Sequence, residues 1–281
     1  MDALVSTDWL AAHLGDAGLR IVDVRWYLDP VRRGRAAYNA GHIPGAIFLD
    51  VEEDLSGPGG QRGGPLGRHP WPPAKHVSRV MGAAGIGAGV RVVAYDDAAG
   101  SVAARVWYLL RAHGHDSVSV LDGGFPKWQA EKRPVTTDEP AVTGCSFAAA
   151  LRPGYILNKD EMQALPKGSL VLDARVPERY RGDVEPIDPR AGHIPGARNA
   201  PYTANLTTGR LPVLRSPEEL KAHYAALGAG SADPVAYCGS GVNACHDLLA
   251  LHLAGFGGRL YAGSWSEWSS DPALPVATGD D

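Results

Sequence analysis

The residue with the clearest capacity for chemistry is Cys238, in the run Cys238-Gly239-Ser240-Gly241-Val242-Asn243-Ala244. Apolar Val235-Ala236-Tyr237 precedes it, and an apolar stretch with Leu248, Leu249, Leu251 and Leu253 follows. That order predicts a strand, a short glycine-containing loop and a helix, with the thiol at the strand's C-terminal end. Ligand sites in open α/β sheets lie at that edge. Loop N–H groups can converge on the sulfur there, and the helix N-terminus adds positive potential. Both favour thiolate over thiol, and the thiolate is the nucleophile. Gly239 and Gly241 permit the backbone angles of such a cradle. The opposing structural interpretation is an inert buried cysteine.

The elements that must position Cys238 are written twice in the chain. Ala-Gly-His-Ile-Pro-Gly-Ala occurs at 40–46 and again at 191–197. Ile21-Val-Asp-Val-Arg25 parallels Val171-Leu-Asp-Ala-Arg175, and Val93-Ala-Tyr95 parallels Val235-Ala-Tyr237. Gly123 and Trp128 are matched by Gly263 and Trp268. Matches in one conserved order predict a duplicated domain. In the first half, apolar runs at Leu19–Val24, Val90–Tyr95 and Ser117–Leu121 predict buried strands. Val102, Val106, Leu109 and Leu110 fall at helical spacing. The second half repeats this, with strands near Leu170–Asp173 and Pro234–Tyr237. Strands alternating with helices imply a mostly parallel sheet flanked by helices in each half, an α/β fold. The Pro- and Gly-containing stretch Arg133–Pro153 has little periodicity. It places a linker at 139–153, between domains spanning 1–138 and 154–281. The polar, glycine-rich stretch Ser56–Pro73 interrupts the first half, and loops of that length are often functional.

Duplication makes each half a control for the other. The Gly-His-Ile-Pro-Gly turns, with His42 and His193, and the Asp23/Arg25 and Asp173/Arg175 pairs occur in both halves. They therefore read as structural. After the shared Val-Ala-Tyr the halves part: Asp96-Asp97-Ala98-Ala99-Gly100 in the first, the cysteine loop in the second. Cys245 reads as core, and Cys145 lies in the linker without an assigned role.

Composition narrows the classes. The 281 residues carry 27 Lys+Arg against 31 Asp+Glu, a net charge of -4 without the basic stripe nucleic acid requires. The N-terminal residues lack a secretory signal pattern, and no apolar run reaches the ~20 residues that span a bilayer. Three cysteines are too few and odd for a disulfide framework, which favours a reducing cytoplasm, and no Cys-x-x-Cys pair suggests structural zinc. No metal or cofactor is expected.

Taken together these features resemble the tandem-domain rhodanese/sulfurtransferase family, over nearly the whole chain. The resemblance implies two rhodanese-like domains, a non-catalytic first one with Asp96 at the cysteine position and a catalytic second one. The loop Cys-Gly-Ser-Gly-Val is similar to the 3-mercaptopyruvate sulfurtransferase branch; a thiosulfate-preferring rhodanese typically has a basic pair where this chain has Gly239 and Ser240. Asn243 departs from the threonine usual in that loop. The implied reaction moves a sulfane sulfur from 3-mercaptopyruvate or thiosulfate through a Cys238 persulfide to cyanide or a thiol such as thioredoxin. The implied donor contacts are the loop residues Gly239, Gly241, Val242 and Asn243, together with Arg179. That arginine has no counterpart in the first half, and its fork suits a carboxylate or sulfonate. Arg181 is a further candidate; Arg190 is nearest to a second family arginine, but its spacing is shortened and the role is not carried over. The branch also implies a relay of Ser240, His69 and an acid, here Glu52. A part for His69 would place the site in a cleft between the domains.

Two other classes share the fold. Cysteine phosphatases end the loop with an arginine, whereas this chain has Ala244 and Cys245. A non-catalytic sensor or scaffold would not require the cysteine that the second half keeps.

Overall fold

The computed structural model describes every residue except Pro30, Ser231 and Asp281. By contacts the chain divides into two compact units that are not contiguous in sequence. The first is Met1–Leu55, Pro72–Arg152 and Thr208–Leu214; the second is Ser56–Trp71, Pro153–Thr207 and Arg215–Asp281.

The first unit is a five-stranded sheet of β1 (Leu4–Val5), β2 (Leu19–Asp23), β3 (Ala46–Phe48), β4 (Arg91–Tyr95) and β5 (Val118–Leu121). Its helices are α1 (Thr7–Ala12), α2 (Gly34–Ala40), α3 (Ala74–Ala83), α4 (Ala103–Ala112) and α5 (Gly124–Ala130). The second unit has β6 (Ile156–Leu157), β7 (Val171–Asp173), β8 (Arg198–Asn199), β9 (Val235–Tyr237) and β10 (Arg259–Tyr261). Its helices are α6 (Lys159–Gln163), α7 (Pro177–Arg181), α8 (Pro217–Ala226), α9 (Ala244–Leu253) and α10 (Ser264–Trp268). The strand orders are β1-β5-β4-β2-β3 and β6-β10-β9-β7-β8, and every strand pairing is parallel. The second order is the first repeated, so the internal repeat in the sequence is a repeat of topology. Helices flank both sheets; α4 packs on β4 and β5, and α9 on β9 and β10.

The central strands read as continuous apolar runs because a parallel sheet is covered on both faces. Val92 to Tyr95 and Val235 to Tyr237 are fully buried. The expected strands fall within a residue of those observed. The short edge strands β1, β3, β6 and β8 gave no sequence signal, because two or three residues cannot display a period.

The features shared by both halves do the same work in each. Arg25 forks onto Asp23 and donates to the Gly41 carbonyl (2.7 Å); Arg175 forks onto Asp173 and donates to that of Gly192 (2.6 Å). The His42 ring stacks on Tyr38, and the His193 ring on Tyr180, each with centroids 3.8 Å apart. Both histidines are fully buried. Tyr95 and Tyr237 hydroxyls each accept the turn amide, from Ile43 and Ile194, at 3.1 Å. The Gly-His-Ile-Pro-Gly turn is therefore a buried clasp between a strand end and the sheet.

The stretch 139–153 has no helix or strand; it counts with the first unit as far as Arg152, and Pro153 begins the second. Cys145 N–H donates to the Gly82 carbonyl (2.9 Å), and Arg152 N–H to that of Ala112 (2.8 Å). Ser56–Trp71, by contrast, counts with the second unit although it belongs to the first half of the chain.

Candidate active site

Cys238 stands at the C-terminal end of β9, buried and without a disulfide. Its loop is stapled by the first turn of α10. The Cys238 N–H donates to Ser264 Oγ (3.2 Å), and the Ser264 hydroxyl donates to the Tyr261 carbonyl (3.0 Å). The carbonyls of Cys238 and Gly239 accept from the N–H groups of Trp265 and Ser266, both at 2.9 Å. Gly241 sits at φ 75°, and a Cβ there would lie 2.6 Å from the Ala262 carbonyl oxygen, so the position requires glycine. Val242 is buried, and the carbonyls of Val242 and Asn243 accept the first helical bonds of α9, from Cys245 (3.1 Å) and His246 (2.9 Å).

The first unit displays what this strand–loop–helix corner does with an anion. Asp96 follows β4 as Cys238 follows β9, and its carbonyl accepts from Phe125 N–H (2.8 Å) as that of Cys238 accepts from Trp265. The fully buried Asp96 carboxylate accepts four backbone N–H groups. Those of Ala98 and Gly100 reach Oδ1 (2.8 and 2.8 Å), and those of Val102 and Ala103 reach Oδ2 (2.7 and 2.8 Å). Successive amides turned inward at a helix start form an anion-binding concavity.

Around the cysteine loop the second unit gathers charge. Arg179, on α7, donates from Nη2 to Glu185 Oε1 (2.7 Å) and to Asp188 Oδ2 (3.0 Å). Glu185 also takes Arg175 Nη1 at 3.3 Å. Arg68, from the Ser56–Trp71 segment, is ion-paired to the other oxygen of Asp188. A Cβ on Gly239 would meet Arg68 Nη2 at 2.6 Å and Arg179 Nη1 at 3.4 Å, so both guanidinia lie against the residue that follows the cysteine. Burial lowers the Arg68 pKa from its ordinary value, opposed chiefly by the neighbouring Asp188 carboxylate. Burial raises Asp188, reinforced by Glu185 and opposed by Arg68 and Arg179.

His69, buried beside Arg68, lies with Nδ1 2.7 Å from Ser240 Oγ, a hydrogen bond whose direction follows the ring tautomer. The two residues meet inside one compact unit, because Ser56–Trp71 folds with the second half of the chain. The anchoring is local: Arg68 N–H donates to Ser266 Oγ (3.1 Å), and Gly57 N–H to the Pro70 carbonyl (2.8 Å).

Residues 6–131 and 158–271 match the Rhodanese-like domain. The chain belongs to the rhodanese family. A Pseudomonas aeruginosa protein named a probable 3-mercaptopyruvate sulfurtransferase is 45% identical over 285 residues, covering 99% of this chain and 98% of that one. A Cricetulus griseus thiosulfate sulfurtransferase is 37% identical over 298 residues, covering 99% and 96%. The solved 3-mercaptopyruvate sulfurtransferase from Leishmania major superposes with TM-score 0.82 at 33% identity, covering 95% of this chain and 74% of that one.

Within the second rhodanese unit, Cys238, Gly239, Ser240, His69 and Arg179 come together. Glu52 belongs to the first unit, where it is exposed and its carboxylate accepts from Trp26 Nε1 at 3.4 Å. Arg181 is half-buried and pairs with Asp183. Arg190 is a structural clamp, donating to the carbonyls of Ser269 (2.8 Å), Leu274 (2.8 Å), Trp268 (2.9 Å) and Asp271. Cys245 is fully buried, its thiol donating to the Gly241 carbonyl (3.3 Å). Arg68 and Asp188 also stand in the group around Cys238, and neither is marked by the internal repeat. The available signal for Arg68 was its place directly before His69; Asp188, in Pro-Ile-Asp-Pro, had none. Among the described residues no cluster of His, Cys, Asp and Glu could hold a metal ion, and no helix is long and apolar enough to cross a membrane.

Proposed function

We propose that this rhodanese-family sulfurtransferase takes a sulfane sulfur from 3-mercaptopyruvate or thiosulfate onto Cys238 and passes it to a thiol or cyanide. The observation that carries this reading is a lone thiol at the end of β9 with two guanidinia packed against the next residue. A nucleophile flanked by cations suits an anionic sulfur donor.

With thiosulfate, the Cys238 thiolate attacks the outer sulfur. The S–S bond breaks, its electron pair leaves with sulfite, and a persulfide anion remains on Cys238. With 3-mercaptopyruvate, the C–S bond breaks and its pair passes to carbon, giving the enolate of pyruvate and a protonated persulfide. The enolate then needs a proton, and the hydrogen-bonded pair of Ser240 and His69 is placed beside the loop to relay one. Glu52 is the acid the family relay would add. Asp96 in the first unit supports the view that the persulfide anion is held by loop amides, since there the same corner cradles a carboxylate. Gly239, Gly241, Val242 and Asn243 would form that cradle, with Arg179 holding the donor's acidic group.

The Ser240–His69 pair favours 3-mercaptopyruvate as donor. The resemblance to a thiosulfate sulfurtransferase keeps a thiosulfate preference as the second reading. The acceptor in this reading is a small thiol or thioredoxin in the cytoplasm, consistent with three cysteines that form no disulfide. Intact-mass measurement after donor treatment tests the proposal: one added sulfur atom is expected on the wild type and none on Cys238→Ser. A serine variant that still turns over donor would overturn it.

A further inference from the structure

Arg68 and Asp188 belong to a buried network beside the cysteine loop. Asp188 bridges the two guanidinia facing the cysteine loop, Arg68 through Oδ1 and Arg179 through Oδ2. Its side chain is fully buried, and those of Arg68 and Arg179 are 11% and 15% exposed. Glu185 ties Arg179 to Arg175, which forks onto Asp173. Three arginines thus face three carboxylates, and the network as a whole carries no net charge. Arg68 nevertheless has reason to remain attractive to an anion. Its Nε is buried without a hydrogen-bond partner among the described residues, and its Nη2 lies against Gly239, next to the nucleophile. A guanidinium offers five donors in a fixed fork, and Asp188 occupies one edge of it.

We propose that Arg68 is a second donor-binding cation beside Arg179, and that Asp188, by bridging both guanidinia, sets a preference for a donor with one negative charge. This rests on the sulfurtransferase reading above. Thiosulfate brings two charges into a site whose cations are already matched, whereas 3-mercaptopyruvate brings a single carboxylate. The buried carboxylate of Asp188 repels the second charge of the dianion, and that penalty is largest where water is excluded. Asp188 also holds both forks in position before the donor arrives, so less side-chain freedom is lost on binding.

The test uses the full-length protein with steady-state kinetics on both donors, and cyanide discharge of persulfide already loaded on Cys238. Arg68→Met should raise KM for both donors about 10- to 100-fold, the range for losing one charge-assisted hydrogen bond, and change the discharge rate by a smaller factor. Asp188→Asn should raise the thiosulfate:3-mercaptopyruvate ratio of kcat/KM about tenfold or more, by removing the like charge. Because breaking a buried pair can impair folding, the double variant Arg68→Met/Asp188→Asn removes both charges together and should keep the raised donor KM. Donor KM within twofold of wild type in both Arg68 variants, or an unchanged donor ratio in Asp188→Asn, overturns the inference while normal loading of wild type preserves the reading beneath it. A discharge rate that falls in step with donor use assigns Arg68 a structural role and also overturns it. Wild-type protein that gains no sulfur from either donor overturns both.

Discussion

Gly239 and Gly241 are two residues apart in one loop, yet the same substitution should act on different properties at each. At Gly241 the added Cβ lies 2.6 Å from the Ala262 carbonyl oxygen, on the strand-to-α10 connection, and the backbone is at φ 75°. Backbone on both sides cannot give way easily. The left-handed conformation alone disfavours a side chain by about 1–2 kcal/mol, and relieving the contact adds overpacking strain of about 1–3 kcal/mol. Gly241→Ala should therefore lower stability by roughly 2–5 kcal/mol. At Gly239 the backbone is ordinary, and the Cβ meets the far end of a side chain, Arg68 Nη2 at 2.6 Å, with Arg179 Nη1 at 3.4 Å. A guanidinium can swing aside, so Gly239→Ala should lower stability by less than about 1 kcal/mol. It displaces the groups proposed to hold the donor, however, and kcat/KM should fall about 10- to 100-fold. Urea denaturation and steady-state kinetics on the same preparations separate the two effects. A Gly239→Ala variant with unchanged donor KM, or a Gly241→Ala variant as stable as wild type, would refute this account of the loop.

Three further expectations concern proton transfer and the first unit. His69→Asn should slow 3-mercaptopyruvate turnover by about 10²-fold or more while sparing thiosulfate, because sulfite leaves without needing a proton; Glu52→Gln run beside it reports whether the acid joins that relay, and equal losses on both donors would remove the relay from the mechanism. Asp96→Asn should destabilise the first unit by roughly 2–6 kcal/mol, since the amide nitrogen faces two of the backbone N–H groups that the carboxylate now accepts; chemical denaturation unchanged from wild type would contradict the cradle. Burial pushes His113, just after α4, down to about 4. The unfolded chain binds this proton more readily, so stability should be full above about pH 6.5 and decline as pH falls toward 4, by about 3 kcal/mol at most. His113→Gln should flatten that decline, and an unaltered pH slope would count against it.

Much of this protein could be read along the chain because its information is local. The central strands are buried on both faces, so Val92–Tyr95 and Val235–Tyr237 appear as unbroken apolar runs. The repeat exposed the shared clasp of His42 and His193, and by subtraction it isolated Cys238. Short edge strands stayed silent because two paired residues have no period. The duplication, the parallel α/β architecture and the thiol's place at a strand end thus follow from the sequence by itself. Tertiary structure alone decided which segments surround that thiol. Ser56–Trp71 leaves the first half and folds with the second, which carries His69 to Ser240 and Arg68 to Gly239. It also drew Arg190 onto backbone carbonyls and set Asp188 between two arginines. Those outcomes depend on contacts between residues far apart in sequence, and such contacts are set by how surfaces pack, not by residue type or spacing.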